Sequence, residues 1–204
     1  MTRSSHRKTA TRPWLLALVA AVAVLAAGCG TRKKPLPILG EVPRFEMTDQ
    51  AGRAFTNESL RGKVWAAAFV FTRCPSACPR VTRMMRRAQL DAARRKVALH
   101  WVSFSVDPDN DTPEVFRRFA EQYGADLASW SFLTGDAAAV RATAEQGFKI
   151  AAEGKADPAK ADFGIAHGTQ LVLVDGAQKI RGYYATSDED ALALLVADAA
   201  RLAP

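Results

Sequence analysis

The residues of this sequence best suited to chemistry are Cys74 and Cys78, in the stretch Cys74-Pro75-Ser76-Ala77-Cys78-Pro79. The stretch follows the apolar run Trp65 to Phe71 and precedes a helix-like run from Arg80 to Arg95. Proline fits the first position of a helix and biases its predecessor toward an extended backbone. Pro79 therefore predicts Cys78 as the N-cap, with Cys74 in the loop between strand and helix. The two thiols can then approach each other beside the unpaired backbone N–H groups of a helix start, an environment that favours thiolate. Such a pair can be oxidised to a disulfide or can bind a soft metal. A structural bridge closing so small a loop would constrain the unfolded chain little.

The elements that must hold these sulfurs can be read along the chain. Val64 to Phe71 is an unbroken apolar run that suits a strand covered on both faces. After the cysteines, Val81, Met84, Met85, Ala88, Leu90 and Ala92 make one apolar helical face with arginines opposite. Met84 and Met85 are read as core filling rather than as soft metal ligands. Val97 to Val106 is a second buried strand, ending at the acidic loop Asp107 to Pro113. A calcium loop is excluded there, because its sixth position would be Thr112 instead of glycine and its twelfth Arg118 instead of glutamate. Thr112 as N-cap and Pro113 at the first helical position, with acids near the positive helix end, account for the loop. That helix runs Glu114 to Tyr123 and stops at Gly124.

Trp130 to Gly135 leads to a helix from Asp136 to about Gln146, closed by Gly147. Residues 148–162 break into Gly, Pro, Lys and Asp, a loop or irregular hairpin. Strands follow at Gln170 to Val174 and Lys179 to Tyr184, then a final helix to Arg201 with Ser187 as N-cap. At the start of the domain, Phe45 to Met47 and Arg53 to Phe55 flank a turn cluster and predict a short hairpin. The order of elements gives an α/β sandwich, a central mixed β-sheet flanked by helices.

The N-terminus reads as an export signal. Arg3, Arg7, Lys8 and Arg12 precede the apolar run Trp14 to Ala27, which is shorter than the roughly 20 residues of a spanning helix. Leu25-Ala26-Ala27-Gly28-Cys29 resembles a bacterial lipobox, in which Cys29 becomes the lipidated first residue of the mature protein. The competing reading is an uncleaved signal anchor with Cys29 incidental, and both place the domain outside the cytoplasm. The expected division is a lipoprotein-type signal over 1–28, an extended tether over 29–43 and one domain over 44–204. The first 28 residues carry four basic residues and no acid, so without them the net charge falls from +7 to +3. The basic balance is largely the signal's, and the remainder has no nucleic-acid signature. An exported compartment permits disulfides, so the pair must be kept reduced by a partner if it is to bind metal.

Four landmarks stand in a fixed order: Phe71 to Pro79; Val102 to Pro108 with Asp111-Thr112-Pro113; Trp130 with Leu133-Thr134-Gly135; and His167 ahead of an apolar strand. Together they resemble the Sco/SenC family of thioredoxin-like copper proteins, over residues of about 42 to 203. The resemblance implies a thioredoxin-like fold and one copper, as Cu(I) or Cu(II), held by Cys74, Cys78 and His167. It departs at Ala166, where the family usually has an acid, and at Gly168, where serine is frequent. A Cys2His donor set suits both oxidation states, thiolate for copper(I) and imidazole for copper(II). Arg73 and Arg80 are expected to assist thiol deprotonation, and Gly164 and Gly168 to give the histidine mobility. His6 lies in the signal, and His100 in a buried strand suits a structural role.

Three functions compete, the first implied by the resemblance and the other two by the thiol pair. The first is a periplasmic or otherwise extracytoplasmic, membrane-anchored metallochaperone. It would deliver copper to the binuclear copper centre in the copper-bearing subunit of cytochrome c oxidase, with other copper chaperones or thiol reductants as partners. The second is a thiol-disulfide oxidoreductase using Cys74 and Cys78 as its redox pair on partner cysteines. The third is a redox or copper sensor. Three residues between the cysteines rather than two, and no proline between Pro158 and Pro204, favour the first over a thioredoxin-type reductase.

Overall fold

The computed structural model describes residues 34–153 and 166–203. The expected signal over 1–28 and Cys29 therefore lie outside the described residues. Residues Leu36–Pro204 form one compact unit. Its eight-stranded sheet comprises β1 (Gly40–Glu41), β2 (Glu46–Asp49), β3 (Ala54–Thr56), β4 (Trp65–Val70), β5 (His100–Ser105), β6 (Trp130–Thr134), β9 (Gln170–Val174) and β10 (Lys179–Ala185). The short pair β7 (Ala152–Glu153) and β8 (Ala166–His167) stands apart from it. The helices are α1 (Ala77–Arg94), α2 (Pro113–Gln122), α3 (Ala137–Ala142) and α4 (Glu189–Leu202).

The sheet order is β1-β10-β9-β4-β5-β6-β2-β3, mixed as expected. Strands β4, β5 and β6 are parallel, and β9 runs antiparallel to β4. Each parallel step proceeds in the same direction across the sheet, so right-handed crossovers place α1 and α2 on one face. Val81, Met85, Ala88, Phe116 and Ala120 pack there on Ala66, Ala68, Val70, Trp101 and Phe132, with Leu195 and Val196 of α4. The alternate residues Trp65, Ala67, Phe69, Val102 and Phe104 form the second core with Phe45, Val140 and Phe148. Every residue of β4 is 0% exposed, which is why its sequence shows no polar alternation. Phe69 stacks on Phe104 at 5.1 Å between centroids, and Phe148 meets both rings edge-on or tilted at 5.3 and 5.7 Å.

Several boundaries depart from the sequence-based expectation. The tether expected through Pro43 gives its end to the sheet: Gly40 pairs with Ile180, Glu41 with Lys179, and Val42 is buried. The second strand begins at His100 rather than Val97, because α1 is followed by Lys96 in the left-handed region (φ 57°) and a three-residue connection. The helix after β6 is α-helical only over α3 and finishes in a wide turn, Thr143–Gly147. A Cβ at Gly147 would lie 2.6 Å from Pro43 Cδ, so this glycine is required by close approach. The last helix is capped by Asp188, whose carboxylate accepts from Asp190 N–H at 2.8 Å, and not by Ser187. Thr112 caps α2 as expected, accepting from Val115 N–H at 3.3 Å with Pro113 first in the helix.

Candidate metal and thiol site

The largest correction concerns the cysteine motif. Cys78 is not the N-cap: α1 begins at Ala77, Ser76 is the cap, and its side chain makes no capping bond. Pro79 is thus the third helical residue. The N–H groups of the cap and the first three helical residues all lack an intrahelical acceptor, so proline costs no hydrogen bond at this position either. The N–H of Cys78 donates to the sulfur of Cys74 at 3.3 Å, and the N–H groups of Ser76 and Ala77 at the same helix start also favour its thiolate. A thiol from the preceding loop therefore caps the helix.

This geometry divides the two sulfurs. Burial works to raise the Cys74 pKa, but the backbone donors of Cys78, Ser76 and Ala77 and the Cys78 thiol outweigh it and bring it below its ordinary value. Cys78 is fully buried beneath the helix start, and that burial pushes its thiol far above the ordinary range, helped by the negative charge of Cys74 and of Asp111. Its sulfur accepts from Phe71 N–H at 3.4 Å. Both cysteines are unbridged. Cys74 is 8% exposed and Cys78 0%, so the site is less open than a loop-borne pair suggests, and a partner meets the Cys74 sulfur first.

The expected help from arginines takes another form. The groups that depress the Cys74 pKa most are backbone amides, while Arg73 binds Asp107 through Nε at 3.1 Å and Nη2 at 2.8 Å. Asp111 accepts from the Thr72 hydroxyl at 2.5 Å, from Thr72 N–H at 3.2 Å and from the Ser105 hydroxyl at 2.6 Å. The acidic loop after β5 thus grips the two residues ahead of Cys74. Sequence reading assigned these acids only to the helix start. The one available signal was their place after a parallel strand neighbouring β4, whose C-terminal end opens toward the same site.

His167 belongs to β8, which pairs with β7 through Ala152. Because β9 follows two residues later and runs antiparallel to β4, the backbone of His167 lies at the sheet end where the cysteine loop emerges. Its side chain lies outside the described part of the molecule. His100 is half-buried at the opposite end, where its Nε2 is 3.1 Å from Ser131 Oγ. Burial, and secondarily Lys63, lower its pKa to about 4, so it is neutral and structural. Met84 and Met85 are core residues.

Among the described residues, no helix is long and apolar enough to cross a membrane.

Comparison with known proteins places this geometry. The SCO1/SenC family pattern matches residues 39–202. A SCO1/SenC family lipoprotein from Bacillus anthracis superposes with a TM-score of 0.76 at 31% identity, covering 85% of this chain and 99% of that one. BsSco, described as a member of the Sco family of cytochrome c oxidase assembly proteins with a disulfide switch, gives 0.71 at 30% identity, covering 83% and 99%. ScoI of Bradyrhizobium japonicum with copper bound gives 0.60 at 26% identity, covering 76% and 98%. A SCO1 protein homolog of Bacillus subtilis is 38% identical over 52% of this chain and 55% of its own length, and a putative copper-binding protein of Stutzerimonas stutzeri is 30% identical over 72% and 71%. The fold is thioredoxin-like, and the chain belongs to the SCO1/SenC family.

Proposed function

We propose that this chain is an exported, membrane-tethered copper carrier. It binds one copper through Cys74, Cys78 and His167 and delivers it to the binuclear copper centre of cytochrome c oxidase. The observation that carries the reading is the divided thiol pair: one sulfur at a helix start, where Cys78 N–H donates to it at 3.3 Å and favours thiolate, the other a fully buried thiol beneath it. Two such sulfurs fit copper(I), and an imidazole adds affinity for copper(II). His167 sits at the same sheet end as the cysteine loop, which supports it as the third ligand. The export segment 1–28 and lipidation of Cys29 supply the tether.

The residues divide the work. Cys74, the less covered sulfur, receives and surrenders the cargo. Cys78 must lose its proton when metal binds, so loading releases a proton and weakens with acid. The copper-bound Bradyrhizobium relative and the oxidase-assembly description of BsSco support cargo and destination.

The unequal acidities also suit a thiol-disulfide oxidoreductase, with Cys74 attacking a partner disulfide and Cys78 resolving the mixed one. The deciding experiment titrates the reduced, oxygen-free chain with copper(I) and copper(II), and assays reduction of a model disulfide by the metal-free dithiol. One copper per chain is expected, with His167→Ala weakening copper(II) binding about tenfold or more while both thiols stay titratable. Parent-like copper(II) binding by that variant removes His167 from the site. Rapid catalytic turnover without copper affinity moves the assignment to the oxidoreductase.

A further inference from the structure

One buried carboxylate beside the thiols has no part in the ligand set. Asp111 is 0% exposed, and its hydrogen-bond donors among the described residues are neutral: Thr72 N–H, the Thr72 hydroxyl and the Ser105 hydroxyl. Arg73, the nearby cation, bonds to Asp107 instead. Burying a carboxylate against neutral donors is expensive, and capping α2 does not require it, since Thr112 performs that task.

The position of its partners gives the carboxylate a role. Ser105 is the last residue of β5, and Val70, its register partner, is the last of β4. Thr72 lies between that strand end and Cys74. The residue before it, Phe71, makes two contacts with the motif: its N–H donates to Cys78 Sγ at 3.4 Å, and its carbonyl accepts from Cys74 N–H at 3.3 Å. Anchoring Thr72 therefore fixes the turn that brings both sulfurs together.

We propose that Asp111 is a positioning residue for the dithiol, acting through Thr72 to hold the Phe71 turn in the geometry that joins Cys74 and Cys78. The proposal rests on the reading that this thiol pair is the working group. It is tested without copper, so failure of the copper reading and failure of the clamp give different results.

The test equilibrates the full chain with glutathione and glutathione disulfide. Cys74 and Cys78 lose two protons and two electrons to form one S–S bond, and glutathione disulfide is reduced to two glutathiones. The oxidised fraction is read by alkylation and mass spectrometry of the peptide holding both cysteines, and the melting temperature is measured alongside. Thr72→Val keeps the β-branch and the backbone N–H and replaces the hydroxyl with a methyl group of similar size. It is expected to shift the equilibrium about tenfold toward the disulfide, or about 30 mV, because the clamp holds the reduced arrangement. Thr72→Ser should restore the parent value within about twofold. In an Asp111→Asn background, Thr72→Val should add less than about twofold, since the two act as one unit. Ser105→Ala provides a second background should Asp111→Asn fail to fold. A lowered melting temperature with the parent equilibrium overturns the proposal, as does the full tenfold shift in both backgrounds.

Discussion

The backbone N–H of Cys78 donates to Cys74 Sγ at 3.3 Å, so the first cysteine of the motif caps the helix that carries the second. One orphan donor of that helix thus ends on the sulfur, and the proline that follows has no N–H to satisfy. Stability of the helix start and chemistry of the thiol therefore share the same atoms.

Unequal reactivity of the two sulfurs is the direct consequence. With limiting iodoacetamide at pH 7, the reduced chain should be alkylated at Cys74 about tenfold or more faster than at Cys78. Cys78→Ser should keep the fast reaction and Cys74→Ser abolish it. The pH midpoint of the fast reaction should fall below 9.0, because net hydrogen bonding from backbone N–H groups outweighs burial at this sulfur. Peptide mass spectrometry reads the sites, and equal rates would contradict the division.

Gly168 tests how the histidine segment is held. Its glycine serves close approach, since a Cβ there would sit 2.9 Å from Cγ2 of buried Ile150. Gly168→Ala should cost about 1–3 kcal/mol in urea unfolding through overpacking. On the proposed ligation it should also weaken copper(II) binding while leaving the Cys74 alkylation rate unchanged.

Acid sensitivity should have a contribution from His100. Its pKa falls from 6.5 to about 4 on folding, so between these values the unfolded chain binds the extra proton and stability rises with pH. The contribution is fully present above pH 6.5 and lost as pH falls through 4, at most about 3 kcal/mol. His100→Asn should flatten the stability profile over that window. Denaturant unfolding at several pH values measures it, and an unchanged slope would show that another group titrates there.

The aromatic cluster on the second face should carry a large share of stability. Phe104→Ala empties a site between Phe45, Phe69 and Phe148 and should cost about 3–5 kcal/mol. Leu194→Ala, at a residue 55% exposed, should change stability by less than about 0.5 kcal/mol. Comparable losses at the two positions would contradict the core assignment.

Local pattern and tertiary contact divide the information in this chain clearly. The unbroken run at Trp65 and the helical spacing of Val81, Met85 and Ala88 identify the buried strand and the face of α1, because burial repeats with the period of the backbone. The Thr112-Pro113 pair announces a helix start for the same local reason. Sequence alone also determined the cysteine spacing and the place of His167 ahead of an apolar strand. What it misplaced was the cap: proline is compatible with any of the first helical positions, so Pro79 could not say whether the helix began at Ala77 or two residues later. What only the tertiary structure decided was the contact of Asp111 with Thr72, 39 residues away, and of Phe71 with the Cys78 sulfur. Those contacts depend on the parallel register that sets Val70 opposite Ser105. The same acids already had a sufficient local role beside a helix, so nothing in their own neighbourhood marked them as the clamp on the thiol loop.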